Sequence, residues 1–418
     1  MLSVFVNAWK VAELRKKIIF TILMFIVFRI GAHIPVPGID TEIIQQLLSS
    51  SIFGFVDIIS GGALKQFTVF AMGIIPYINA SIILNLLTMV VPYFEKLSKE
   101  GPEGRKKMTQ ITRYGTVILG FAQALAMSFY LRSAFVDPSI GSVFLVALTL
   151  TAGTVFLMWL GELITDKGIG NGISLIIFAG IVVNLPSQIG SMTQYVKTGE
   201  ASIVTVVLFV LIALFVIAGI VAVQEGQRRI PVQYAKRVVG RKMYGGQSTY
   251  IPMKINQAGV IPIIFAMAIL TLPALLAGLF EQSSSIAAFI STIFGFQHPV
   301  YMVCYALLIL AFTYFYTAVT FNVPDIADNL KKYGGFIPGL RPGKPTVDYL
   351  DKVLSRITFA GGLFLAFIAL LPSIAMGVTG LNFYFGGTSL LIAVGVALDT
   401  MKQVESQLLM RHYQGFMK

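Results

Sequence analysis

The sequence predicts an all-α protein that crosses a membrane many times, and three observations carry that reading. Of its 418 residues, 56% are hydrophobic and only 12% are charged, with a mean hydropathy of +0.81. The apolar residues fall in successive blocks close to the ~20 residues that a spanning helix requires. The blocks do not alternate in the strands of about ten residues from which membrane barrels are built. A helix, by contrast, satisfies its backbone polar groups within its own segment.

Taken in order, the blocks predict spans near 18–36, 69–91, 113–132, 143–163, 172–192, 203–223, 256–279, 300–322, 357–377 and 382–401. The first block has no small-residue cleavage site and runs directly into HIPVPG, so it reads as a retained span. Proline falls in the second span (Pro76) and in the seventh (Pro262 and Pro273). An interior proline removes a backbone hydrogen bond and kinks a helix, which marks these two as the mobile spans. The same two carry uncharged polar residues, with Asn79, Ser81, Asn85 and Thr88 in one and Asn256 and Gln257 opening the other. Such residues commonly hydrogen-bond between membrane helices, so they serve a bundle as well as a moving joint.

Charge sets the orientation, because Lys and Arg are retained on the cytoplasmic side. With the N-terminus inside, 27 of the 31 Lys and Arg fall in inner segments. Only Lys65, Arg132 and Lys197 fall outside, and Arg29 lies within the first span. Both termini are then cytoplasmic. Two inner loops, 224–255 and 323–356, are far longer than a connector needs and are basic. The alternating RRIPVQYAKRVV predicts that the first is a hairpin. Loops of this kind suit either anionic lipid headgroups or a docking partner such as an acidic protein or RNA.

Several chemistries are absent from the sequence. LRPGKPT resembles a phosphate-binding loop, but Pro338 stands where its first Gly is needed and Pro345 where its Ser or Thr is needed. His33, His298 and His412 are scattered and Cys304 is alone, so neither a metal site nor a disulfide is expected, and no cofactor. Glu162 and Asp166, one turn apart at a helix end, read as a solvated face rather than a catalytic pair. Apart from residues at the span boundaries (Arg113, Arg132 and Glu162), only Arg29 and Asp399 are charged within the spans, and each lies near enough to an end to reach an interface. Ion-coupled transport normally needs charged groups in the membrane, so any work done through this protein is expected to be powered by another molecule.

One stretch, FGFVDIISGGALKQF (53–67), fits none of these segments. It is too short to span and too apolar for an ordinary loop, and it holds Asp57 and the pair Gly61–Gly62. A re-entrant segment is tolerated where protein or water, rather than lipid, surrounds it.

Several motifs resemble the SecY family, the channel subunit of the protein-conducting translocon. They are RIGAHIPVPGID (29–40), FAMGIIPYINASIILNLL (70–87), WLGELITDKGIGNGISLIIFAGI (159–181), KINQAGVIPIIFA (254–266), GFIPGLRPGKPT (335–346) and YFGGTSLLI (384–392). They occur in order from the first span to the last. The resemblance implies ten helices in two pseudo-symmetric halves, an inverted repeat around a central pore. The halves would be 1–192 and 193–401, followed by a cytoplasmic tail at 402–418. It makes the stub a plug comprising Phe55, Val56, Asp57, Ile58, Ile59, Ser60, Gly61, Gly62, Ala63 and Leu64. It makes Ile74, Ile78, Ile177, Ile181, Ile264 and Ile392 a pore ring, although an isoleucine in a membrane helix ordinarily faces lipid or core. The lateral gate would include Pro76, Ser81, Asn85, Asn256, Pro262, Leu272 and Pro273, with Ser81, Asn85 and Asn256 as a polar latch. Partner docking would use Arg341 and Lys344 in one inner loop and Arg228, Arg229, Lys236, Arg237, Arg241 and Lys242 in the other.

The function implied is passage of unfolded secretory polypeptide across a bacterial cytoplasmic membrane and sideways release of membrane helices into lipid. The partners implied are SecE, SecG, the ATPase SecA, the ribosome, signal sequences of preproteins and membrane lipid. A secondary transporter of small solutes also uses broken helices and inverted repeats, and a non-transporting scaffold is a third possibility. The scarcity of intramembrane charge and the large basic loops count against the transporter.

Overall fold

The structure is a computed structural model that describes residues 8–40, 43–44, 57, 60–199, 202–234, 237–239, 242–244, 248–277, 298–379 and 387–415. Each apolar block predicted to span contains a helix. In chain order the helices are α1 (Ala12–Gly31), α2 (Ile75–Val90), α3 (Pro92–Lys99), α4 (Pro102–Tyr130), α5 (Ile140–Lys167), α6 (Gly172–Thr198), α7 (Ile203–Glu225), α8 (Ile261–Ala277), α9 (Pro299–Thr320), α10 (Val323–Lys332), α11 (Lys344–Thr379) and α12 (Gly387–Gly415). Among the described residues, α5, α6, α7, α9 and α11 are each long and apolar enough to cross a membrane alone. The pair α2 and α3 also passes, but it is bent by 101° at the break between them.

Local chemistry explains where these helices start. Side-chain oxygens of Ser139, Asn171, Ser202 and Asn322 accept from backbone N–H groups in the first turns of α5, α6, α7 and α10. Proline opens α2, α3, α4 and α9, a position where its missing N–H has no helical partner anyway. The expected kinks at Pro76 and Pro262 are therefore corrected. Both are the second residue of their helix, so neither interrupts it. The sharp bend falls instead at Val91, just before Pro92. The second predicted span is also shorter than expected, because residues 60–74 form consecutive tight turns and the helix begins at Ile75. Pro273 and Leu272 lie within α8.

The helices sort by packing into two groups. In the first, α4 lies along α2 and α5, and α1 touches α5 and α6; in the second, α9 lies along α8 and α11, and α12 touches α7 and α11. The groups meet where α12 crosses α6 and where α8 crosses α2. By contrast, α7 is buried over only 11% of its apolar window and presents Val207, Leu208, Leu211, Leu214 and Phe215 outward, the surface expected to meet lipid.

Within the first group, α5 carries Gly153 where the turn leading into α2 presses against it. A Cβ on Gly153 would collide with the carbonyl of Val69, which is backbone and cannot swing aside. Gly153→Val is therefore expected to cost about 3 kcal/mol or more, through overpacking against an immovable neighbour. Thermal unfolding in detergent checks it, and an unchanged midpoint would refute the close approach.

The two long basic loops form one unit rather than two. Strands β1 (Gln227–Tyr234) and β4 (Ser248–Lys254) pair antiparallel from Gln227↔Lys254 to Gln233↔Ser248, as the hairpin expectation requires. Between them, β2 (Arg237–Val239) pairs with β3 (Lys242–Tyr244). The second loop adds β5 (Gly335–Phe336) to the other edge of β1, giving the order β4–β1–β5. Ile230 and Val232 of β1 point inward with Met253 of β4, onto Val323 and Leu330 of α10 and Leu350, Val353 and Leu354 of α11. This small core stands apart from those of the helix bundle.

Candidate pore, plug and docking surface

Four helices bring the six predicted isoleucines together. Ile177 and Ile181 sit one turn apart on α6 and so share a face. Ile74 is the residue before α2, yet its carbonyl accepts from Ile78 N at 3.0 Å, so the pair is stacked as in a helix. Ile264 comes from α8 and Ile392 from α12. All six belong to a single apolar cluster. Ile74, Ile177, Ile181 and Ile392 are no more than 3% exposed, and Ile78 and Ile264 are half-buried. Branched apolar side chains from both helix groups thus converge on one apolar cluster.

The end of the stub packs on this cluster. Gly61 and Gly62 both take left-handed backbone angles, φ +73° and +84°, which reverse the chain toward α2 at no steric cost. The turn is closed by Gly62 N donating to Asp57 O at 2.8 Å and Ser60 Oγ donating to the same carbonyl at 3.1 Å. The buried Asp57 carboxylate accepts from Lys65 N at 2.9 Å and lies 3.7 Å from Lys65 Nζ. Ala63 joins the isoleucine cluster, while Leu64 enters the neighbouring core around Phe67 and Leu131. Gly61 lies against α6, where a Cβ would come within 3.3 Å of Gly180 Cα. Phe55, Val56, Ile58 and Ile59 lie outside the described residues.

Sequence reasoning missed part of this site. Phe28, Phe70 and Phe156 stack in a row, with centroids 6.2 and 5.8 Å apart, and brace the turn before α2 against α1 and α5. Arg29, inside a predicted span, has a partner within the protein: its Nη1 donates to Gly61 O at 3.0 Å. Glu162 is not on a solvated face; only 16% of its side chain is exposed, and it pairs with Arg113 at 2.8 Å. The sequence marked Arg29 by its position inside a span, but no pattern in it identified either partner.

The seam between α2 and α8 is apolar. Ile78, Ile82 and Leu86 follow each other at four-residue intervals on α2 and meet Ile261, Phe265 and Ala268 of α8, with Phe312 of α9 alongside. Ser81 is half-buried and Asn85 exposed, whereas Asn256 is buried and its Nδ2 donates to Gly259 O at 3.0 Å within its own turn. Asn256 thus turns its amide onto its own turn, and the residues that meet across the α2–α8 seam are apolar.

An open cavity of about 350 Å³ adjoins the isoleucine cluster, sharing Val260 and Val396 with it. Its other walls mix apolar residues such as Ile261 and Leu398 with polar ones, among them Lys254, Asn256, Gln257, Asp399 and the Glu225–Lys402 ion pair at 2.7 Å.

On the loop unit, Arg228, Arg229, Arg341 and Lys344 are all exposed. The Arg229 guanidinium lies 4.8 Å over the ring of Tyr250. Thr346 Oγ1 donates to Arg341 O at 2.9 Å and Leu340 N to Ile337 O at 3.0 Å, so the backbone around Arg341 is held while its side chain stays free to contact a partner. Arg237 and Lys242 belong to β2 and β3; Lys236 and Arg241 lie outside the described residues.

Known proteins match this architecture. The SecY family model matches residues 68–401. Protein translocase subunit SecY of Halalkalibacterium halodurans is 51% identical, covering 99% of both chains. Its counterpart from Bacillus subtilis is 50% identical over 99% of this chain and 98% of that one. Two solved structures share the fold at lower identity. Sec61 in the canine ribosome–channel complex aligns with a TM-score of 0.64 at 18% identity, covering 94% of this chain and 92% of that one. A SecY structure described by a plug domain that stabilises the closed state of the translocation channel aligns at 0.61 with 19% identity and the same coverage. Matched by the family model over most of its length and by bacterial relatives end to end, the chain belongs to the SecY family, a membrane-embedded protein translocase subunit.

Proposed function

We propose that this chain forms the pore of a bacterial translocon, in which Ile74, Ile78, Ile177, Ile181, Ile264 and Ile392 seal around a passing polypeptide and residues 55–64 plug the idle channel. The observation that carries the reading is the convergence of those six side chains from four helices onto one cluster that also holds Ala63 of the stub. Flexible apolar contacts suit a substrate of any sequence, because they ask nothing of its side chains beyond exclusion of water.

The chain divides into halves at 1–192 and 193–401 with a tail from 402, and both termini face the cytoplasm. The meagre α2–α8 seam is the lateral gate. Parting it exposes little apolar surface, and a nascent membrane helix replaces what is lost. Asn256 and the prolines opening α2 and α8 mark where those helices pivot. The cavity is the cytoplasmic vestibule, and the loop unit beside it receives the motor. Arg341 and Lys344 contact SecA, while Arg228, Arg229, Lys236, Arg237, Arg241 and Lys242 contact SecA or ribosomal RNA. Ribosome docking draws support from the Sec61 ribosome–channel complex and from the yeast Ssh1 complex bound to the 80S ribosome. SecE and SecG complete the working unit in the cytoplasmic membrane.

Reconstitution with SecE in lipid vesicles tests the whole reading. An unfolded preprotein is expected to become protease-protected only when SecA and ATP are both supplied. Saturable uptake of a small solute by the chain alone, without preprotein protection, would replace the channel with the transporter reading.

A further inference from the structure

We infer that Arg29 holds the plug in its closed position, acting as a positioning residue through the carbonyl of Gly61; the inference rests on the plug reading above. Arg29 occupies the last turn of α1, a helix whose neighbouring residues Ile22, Leu23, Ile26 and Ile30 are exposed apolar side chains. A guanidinium there is costly unless its donors are met. One donor is met by the stub, with Nη1 3.0 Å from Gly61 O across 32 residues of sequence.

The geometry of the stub explains why that carbonyl is offered. Successive left-handed residues at Gly61 and Gly62 turn the chain, and the Gly62 N–H is directed back to Asp57 O. With Ser60 bonded to the same Asp57 carbonyl and the Asp57 carboxylate bonded to Lys65, hydrogen bonds tie Asp57, Ser60, Gly62 and Lys65 together. Holding one carbonyl therefore holds the turn as a body. Thr68 N and Oγ1 donate to Ala63 O within the turn that follows, whereas the packing of Phe28 beside Gly61 and of Ala63 in the isoleucine cluster is apolar and non-directional. A charge-assisted hydrogen bond is both stronger and directional. Moving the stub away would leave the guanidinium in apolar surroundings without this acceptor, so Arg29 biases the plug toward closure.

Single-channel recording of the complex with SecE in planar bilayers decides the matter, using Arg29→Met, Arg29→Lys, deletion of residues 57–63, and the deletion combined with Arg29→Met. Arg29→Met is expected to raise open probability about tenfold, the consequence of losing one charge-assisted hydrogen bond. Arg29→Lys keeps a charged donor and is expected to stay near the parent. In the deletion background Arg29→Met is expected to add nothing, because the group it acts through is gone. A silent Arg29→Met beside a leaky deletion overturns the latch and leaves the plug standing. Equal leaks from the Met and Lys variants, or leaks that add to the deletion, also overturn it. A silent deletion overturns the plug reading itself. A second readout covers a poorly assembling Met variant: with Ser60→Cys as a probe, Arg29→Gln is expected to speed maleimide labelling of position 60 about tenfold, and an unchanged rate overturns the latch.

Discussion

Deletion of residues 57–63 will turn a mostly silent channel into one that opens frequently and conducts ions, with open probability rising by more than about tenfold. The deletion removes Ala63 from the isoleucine cluster, together with Gly61, Gly62 and the Asp57–Lys65 clasp that shape the turn. What remains is the isoleucine cluster with an unfilled space where Ala63 packed. Cavities that protein does not fill weaken the packing around them, and here a wetted path would follow. Single-channel conductance against the parent complex measures it. Equal silence of both would mean that the stub seals nothing and that residues 55–64 are an interfacial helix.

Reversal of one exposed charge, Arg341→Glu, is expected to abolish transport driven by SecA while leaving the chain folded and inserted. The side chain is exposed and the loop beneath it is fixed by backbone and Thr346 hydrogen bonds that the substitution does not touch. Exposed positions of this kind change stability by only about 0.5 kcal/mol. At a docking surface a reversed charge also repels the complementary patch, a penalty of several kcal/mol, so a loss of well over about a hundredfold in SecA-dependent preprotein protection is expected. Thermal unfolding in detergent should match the parent. Normal transport by this variant would remove Arg341 from the docking surface.

The helices themselves were legible because apolar runs of spanning length allow few alternatives in lipid. Each predicted block contains a helix, and the hairpin predicted from RRIPVQYAKRVV is present with β1 and β4 in register. Errors arose where local and tertiary effects compete. Pro76 and Pro262 looked like kinks because their blocks begin several residues upstream of them. The chain instead spends those upstream residues on turns and caps, so both prolines open a helix. No pattern in the sequence marks a partner for Arg29, and Glu162 reads as solvated because a charge read alone suggests water. Their partners, Gly61 and Arg113, lie 32 and 49 residues away in sequence. The face that α2 turns to α8 follows its four-residue apolar series, Ile78, Ile82 and Leu86.

Composition and motifs contiguous along the chain were enough for the helical membrane architecture and for the family resemblance, and the basic loops set an expectation of sidedness. It is the packing that brings six isoleucines from four helices into one cluster, rests Ala63 of the stub on it, sets Arg29 Nη1 on Gly61 O and joins two separate basic loops through β5 into one sheet. These facts depend on distances between residues remote in sequence, and helix periodicity says which face a residue occupies but not which other helix that face will meet.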